Sequence, residues 1–191
     1  AETYERFSNV FRLAKRYDDS LRALRLAQAV QPRGTRFSLP IAEVYIDQEK
    51  YAQALEYLEK YLTEQTPQGS QAYERLAFVL GKLGRSDEVR PRVQAAAEKD
   101  RFNLGLQSFL GSLYEEAGEI EKAKEIYLPL LKNSPDARVY KSMARIYLKE
   151  DRFRDLILLL GSGLEKQSEG RLGAVDAVEE QMKVLSDEPE T

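Results

Sequence analysis

The chain has 191 residues, enough for one domain with a sizeable core or for a stack of smaller units. Hydrophobic residues make up 42% and charged residues 32%, which places it with globular, soluble proteins and not with disordered ones. A net charge of −3 argues against general nucleic-acid binding, and the absence of cysteine and histidine removes disulfides, the usual zinc ligands and the commonest general base.

The longest purely apolar run is Leu156–Leu160, far short of the roughly 20 residues that a membrane-spanning helix needs. No charged start followed by an apolar stretch marks a signal peptide, so a soluble protein is expected, with the cytoplasm as the favoured compartment. The opening Ala1 reads as a processed start or as a piece of a longer protein.

A small residue flanked by large ones recurs along the chain, and fixed-period self-similarity outranks local secondary-structure reading. The first unit, 1–34, has Ser8 with Phe7 before it and Phe11 three residues later, then Tyr17, Ser20 and Leu24 after a polar break. The second, 35–69, repeats this with Ile41, Ala42 and Tyr45, then Tyr51, Ala54 and Leu58. The third, 70–103, reads Leu76, Ala77 and Leu80, then Ser86, Val89 and Val93, with Gly84 at the break. The fourth, 104–136, has Leu110, Gly111 and Tyr114, Gly118 at the break, then Ile120, Ala123 and Tyr127. The fifth, 137–169, is degenerate, with Met143, Ala144 and Tyr147, then Phe153, Leu156 and Leu160. The small residues Ser8, Ala42, Ala77, Gly111 and Ala144 are separated by 34, 35, 34 and 33 positions.

Each unit is expected to form two antiparallel helices joined by a short turn. Small residues at facing places let the backbones approach, and Gly84 and Gly118 supply the left-handed conformation that ends many helices. One hairpin cannot bury its apolar faces alone, so successive hairpins must stack. Pro40 sits in a first turn, where a missing N–H is tolerated, and Pro91 lies near a helix start. Pro129 falls well inside a helix, where a kink is expected. After Gly170, the spacing of Val175, Val178, Met182 and Leu185 predicts one amphipathic capping helix over 170–186, followed by a frayed acidic tail, 187–191.

The period, the order of large, small and aromatic places, and the closing prolines Pro32 and Pro135 resemble the tetratricopeptide repeat. "RYDDSLRALRLAQAVQP" and "KYAQALEYLEKYL" are similar to the second half of that motif. The resemblance implies an all-α, right-handed α–α superhelix of about five helix–turn–helix repeats plus the capping helix. It further implies a concave face lined by the first helices and a non-catalytic scaffold that binds a peptide or helix of a partner protein there.

Chemistry has little purchase on this sequence. Adjacent acids such as Asp18–Asp19, Glu115–Glu116 and Glu179–Glu180 diverge around a helix, and Gly161 and Gly163 lack the rest of a phosphate loop. No enzyme activity, cofactor or metal is expected, and neither a nucleic acid nor a membrane is an expected partner.

The first-helix places not used for packing locate the expected groove. In the first two units they include Asn9, Arg12, Glu43 and Asp47, alongside Glu5 and Arg36; the third contributes Arg75 and Phe78. Phe109 stands in the fourth, and Arg138, Lys141, Arg145 and Lys149 line the fifth. Phe78 and Phe109 are read either as partly exposed partner anchors or as core. Arg138, Lys141, Arg145 and Lys149 form one basic stripe, which suits an acidic peptide or, equally, pairing with Glu115 and Glu116. The family's carboxylate clamp for chaperone tails is not expected: Asn9 fits it, but Glu5 replaces a lysine and Pro40 an asparagine, and Arg75 alone remains of its third helix. The alternative function is a homo-oligomeric assembly module that associates through the solenoid ends or the convex face.

Overall fold

The computed structural model describes residues 1–31, 35–133 and 136–168. The segments expected to form the capping helix and the acidic tail lie outside the described residues, as do Pro32 and Pro135. Among the described residues the structure is all-α, with no strand. The chain divides into two compact units, Ala1–Lys99 and Asp100–Thr191.

Unit 1 contains α1 (Glu2–Leu13), α2 (Tyr17–Val30), a 3₁₀ turn (Thr35–Phe37), α3 (Ser38–Asp47), α4 (Tyr51–Glu64), α5 (Gln71–Lys82), a second 3₁₀ turn (Ser86–Glu88) and α6 (Val89–Lys99). Unit 2 contains α7 (Leu104–Glu116), α8 (Ile120–Asn133), α9 (Ala137–Lys149) and α10 (Phe153–Ser168). Consecutive helices pair as hairpins, α1 with α2, α3 with α4, α7 with α8 and α9 with α10. In the third repeat the second helix starts late: Ser86, expected as its first anchor, lies in the 3₁₀ turn, and α6 begins at Val89. Helix α8 runs unbroken through Pro129.

The five turns that join the first and second helix of a repeat use one backbone device. Gly84 and Gly118 have φ of 72° and 76°, and Lys15, Glu49 and Asp151 adopt the same left-handed conformation at 58°, 58° and 55°. Behind each, the next amide donates back to a carbonyl five residues earlier: Arg16 to Phe11 at 2.8 Å, Lys50 to Tyr45 at 2.9 Å, Arg85 to Leu80 at 2.8 Å, Glu119 to Tyr114 at 2.9 Å and Arg152 to Tyr147 at 2.9 Å. This is the six-to-one bond of the Schellman cap, which satisfies carbonyls left over at a helix end. The left-handed conformation costs a side-chain-bearing residue roughly 1–2 kcal/mol, so three of the turns hold it against that strain.

The small places do their packing work inside the hairpins. Ser8 and Ser20 are buried and share a hydroxyl–hydroxyl bond of 2.8 Å, while the Ser20 hydroxyl also donates to the Ser8 carbonyl at 2.9 Å. Ala42 and Ala144 are fully enclosed. Ala77 differs from expectation: it is half-buried, and Ala72, Leu76, Val79 and Leu80 carry the packing of α5 instead. The unit 1 core joins Leu21, Leu24 and Ala27 of α2 to Phe37, Ile41 and Val44. The unit 2 core runs from Ala123 and Tyr127 on α8 through Met143, Ala144 and Tyr147 on α9 to Leu156 and Leu159 on α10.

One core place in unit 2 carries a charge. Lys124 of α8 occupies the position held by Leu21 in α2 and Leu55 in α4, and it is buried. Its ammonium donates to Glu121 at 2.9 Å and to Glu150, just beyond α9. Burial pushes the Lys124 pKa down, but the bonds to Glu150 and Glu121 reverse this and leave it raised. The same bond holds the Glu150 carboxyl below its ordinary value, against a smaller effect of burial. The lowered Glu150 pKa gives stability at neutral pH that is lost as pH falls through it; the raised Lys124 pKa gives stability that is lost only in strong alkali.

Candidate functional site

Side chains that the hairpins do not use for packing come together in two places, one in each unit. In unit 1 they join α1, α3 and α5. The Arg12 guanidinium lies between Glu43 Oε2 at 3.3 Å and Asp47 Oδ2 at 3.4 Å, and reaches Asn9 Oδ1 at 3.5 Å. The other Glu43 oxygen lies 3.8 Å from Arg75 of α5, and Glu5 is 3.4 Å from Arg36. Five expected site residues, Asn9, Arg12, Glu43, Asp47 and Arg75, thus belong to one ladder of alternating charge. Spacing by three and four along each helix puts them on one face.

A cleft of ≈ 470 Å³ opens between α1 and α3, lined by Glu5, Asn9, Arg12, Pro40 and Glu43 together with Glu2 and Arg6. Glu5 and Pro40, the departures from the clamp pattern in the first two repeats, therefore lie in the cleft itself. Each rung of the ladder is at least partly exposed, and surface ion pairs contribute only about 0–1 kcal/mol each.

Phe78 extends from α5 with 46% of its surface exposed. One edge meets the Tyr51 ring at 6.1 Å between centroids, and Lys82 Nζ sits 5.5 Å from its own centroid. Phe78 is thus part core contact and part open surface. Phe109, on α7, is half-buried.

In unit 2 a cleft of ≈ 380 Å³ lies between α7 and α9, lined by Ser112, Glu115, Glu116, Ser142, Arg145 and Lys149, among others. Glu115 organises its floor. One carboxylate oxygen accepts from Arg145 at 2.9 Å and the other accepts from the Tyr127 hydroxyl at 3.2 Å. The Tyr127 pKa is pushed up to about 12, chiefly by burial, with the Ser142 hydrogen bond acting against it and Glu115 reinforcing it. That hydroxyl remains a donor at every physiological pH.

The four cations of α9 are not equivalent. Arg138 folds back on Asp136, which also caps the helix by accepting from the Arg138 amide at 2.9 Å. Lys141 is half-buried, while Arg145 and Lys149 line the cleft. Glu115, Glu116 and Glu150 share the cleft walls with Arg145 and Lys149, so its character is mixed. Ser142 was not singled out by sequence; its position three residues before Arg145 is the signal that places it on the same face.

Among the described residues, no group of three or more acidic side chains could hold a metal, and no helix is long and apolar enough to cross a membrane.

A tetratricopeptide repeat family model matches residues 41–65 and 106–136. No curated protein gives a significant match to the sequence. Among solved structures, the chain is similar to MamA, with 21% identity and a TM-score of 0.60, over 85% of this chain and 95% of that one. It is also similar to YrrB, described as a tetratricopeptide-repeat protein with an unusual peptide-binding site, with 18% identity and a TM-score of 0.54 over 92% and 90% of the two chains. TTC0263, a thermophilic tetratricopeptide-repeat protein of Thermus thermophilus, gives 17% identity and a TM-score of 0.58 over 97% and 98%. At these identities the likeness speaks to fold, and it agrees with the family match and with the hairpins described above. Residues 41–65 and 106–136 match the tetratricopeptide repeat, and the chain has the all-α, helix-hairpin fold of these repeat proteins.

Proposed function

We propose that the chain is a non-catalytic interaction module that holds an extended or helical segment of a partner protein against its first-helix faces. The observation that carries this reading is the Arg12–Glu43–Arg75 ladder with Asp47 and Asn9. It spans three successive first helices, stays at the surface and borders an open cleft. The peptide-binding site attributed to YrrB, a protein of the same fold, supports the class of ligand. Alternating charge favours a partner segment of mixed charge with hydrogen-bonding side chains over a purely acidic tail. Arg145 and Lys149 beside Glu115 extend the same preference to unit 2.

Peptide-display selection with the whole chain as bait tests this. Enriched peptides should bind Glu43→Lys at least about tenfold more weakly, the loss of roughly 1.4 kcal/mol that truncating a useful contact brings. Glu56→Lys, on the exposed side of α4, should bind them as the parent does. Equal retention by both variants, with circular dichroism unchanged, would place binding elsewhere.

A second reading, self-assembly through an end, is favoured by α1. Phe7 and Val10 are 53% and 61% exposed, whereas their counterparts Ile41 and Val44, Leu76 and Val79, and Met143 and Ile146 are buried. On this reading, sedimentation velocity should show a mass that rises with concentration in the micromolar range and returns to a monomer's in Val10→Asp. A constant monomer for the parent chain would reject it.

A further inference from the structure

Four first helices end on a charge at one recurring place. Asp47 closes α3, Lys82 closes α5, Glu116 closes α7 and Lys149 closes α9. Each stands five residues after the small place of its repeat, and all four are exposed; the first repeat has Leu13 there. Each unit therefore holds an acid and then a base at the same place of two successive first helices. Those helices are neighbours: Glu43 of α3 lies 3.8 Å from Arg75 of α5, and Glu115 of α7 accepts from Arg145 of α9 at 2.9 Å.

Helix stability accounts for only half of this pattern. A base at a helix C-terminus is favoured by the helix dipole, whereas an acid there is opposed by it. Asp47 and Glu116 stand against that preference. Nor do the acid and the base of a unit close on each other. Asp47 Oδ2 meets Arg12 at 3.4 Å, and Lys82 Nζ sits 5.5 Å from the Phe78 ring centroid. Glu116 and Lys149 line one cleft of ≈ 380 Å³, yet neither forms a hydrogen bond or an ion pair among the described residues.

The spacing selects a shape of guest. Packed neighbouring helices lie about 8–10 Å apart. An extended chain of the polyproline II type returns to one face every three residues, about 9 Å along. A β-strand returns every second residue, about 7 Å along, and an α-helix about 10–12 Å wide is too bulky for the unit 2 cleft. Apolar surface for such a chain lies beside each acid–base pair, from the half-exposed Phe78 in unit 1 and from Ile120 and Ile146 in unit 2.

We propose that Asp47 with Lys82, and Glu116 with Lys149, each read one base and one acid spaced three residues apart on an extended segment of a partner protein. The proposal rests on the reading of the chain as a peptide-binding module. A phage library of random peptides of about 12 residues is selected on the full chain and on Lys82→Glu with Lys149→Glu, which makes all four places acidic. The parent should enrich acid–x–x–base and base–x–x–acid peptides on the order of fivefold over the unselected library. The doubly substituted chain, with its circular dichroism unchanged, should lose that enrichment and take base–x–x–base peptides instead. The same charge pattern from both chains, or mixed pairs at another spacing, would overturn the proposal. If Glu43→Lys still weakened those peptides, the peptide-binding reading would survive that result. A pool without charge pattern, from a parent that sediments as a dimer, would give these faces to a second copy and overturn the proposal as well.

Discussion

Replacing Gly111 with alanine is expected to destabilise unit 2 by about 2 kcal/mol, against the usual direction for a glycine inside a helix. In an ordinary helix the change would stabilise by roughly 0.5–1 kcal/mol, because glycine loses the most conformational freedom on folding. Here a Cβ on Gly111 would stand 2.3 Å from Cε1 of Tyr127 and 2.9 Å from Cδ1 and Cζ, distances that no relaxed contact reaches. The ring cannot step aside. It is 1% exposed, packed in the unit 2 core, and its hydroxyl is tied to Glu115. Overpacking of about 1–3 kcal/mol or more therefore outweighs the gain in helix propensity. Urea denaturation followed by circular dichroism measures the sign. Adding Tyr127→Leu should recover part of the loss, giving a coupling energy on the order of 1 kcal/mol in the double-mutant cycle. A more stable Gly111→Ala chain would mean that α7 and α8 do not meet at this point.

Phe37→Ala should be costlier still, about 3–5 kcal/mol. Phe37 ends the 3₁₀ turn ahead of α3, is fully buried, and fills the space between α2 and α3 beside Leu24, Ile41 and Val44. Truncation leaves a cavity that two paired helices cannot close without giving up their own contacts. Phe37→Leu, which keeps most of the volume, should cost less than about 1.5 kcal/mol. The half-exposed Phe78 is the internal comparison, and its truncation should be much milder in the same denaturation experiment. Comparable losses at Phe37 and Phe78 would contradict the burial that separates them.

Phe37 also marks the boundary of what sequence could show. Period, hairpin order and most small places are readable because they recur, and Ser8, Ala42, Gly111 and Ala144 are packed as their spacing implies. Phe37 stands five residues before its small place, as Ala72, Leu106 and Val139 stand before theirs, and all four are buried; this recurrence does not show in the sequence because the residue there changes size from repeat to repeat. The turns were half readable. Gly84 and Gly118 advertise a left-handed residue, whereas Lys15, Glu49 and Asp151 hide theirs, because the cap is made by main-chain groups. Ala77 and Ser86 misled because the third repeat starts its second helix late, which shifts the packing of α5.

The site was readable to a similar depth. Helical periodicity places Asn9, Arg12, Glu43, Asp47 and Arg75 on the free faces of their helices. Which acid each arginine chooses depends on how neighbouring helices are offset, and no single-helix pattern contains that. The basic run of α9 shows the same limit: linear spacing unites Arg138 with Arg145, whereas the fold gives one to Asp136 and the other to Glu115.

The alternation of sign along the unit 1 ladder bears on how quickly a guest could arrive. Positive and negative groups a few ångströms apart cancel beyond a Debye length of about 8 Å in physiological salt, so little field reaches a molecule diffusing past. Capture would then proceed near the unsteered range of about 10⁵–10⁶ M⁻¹s⁻¹, with little response to ionic strength. Discrimination between guests would rest on how long each one stays.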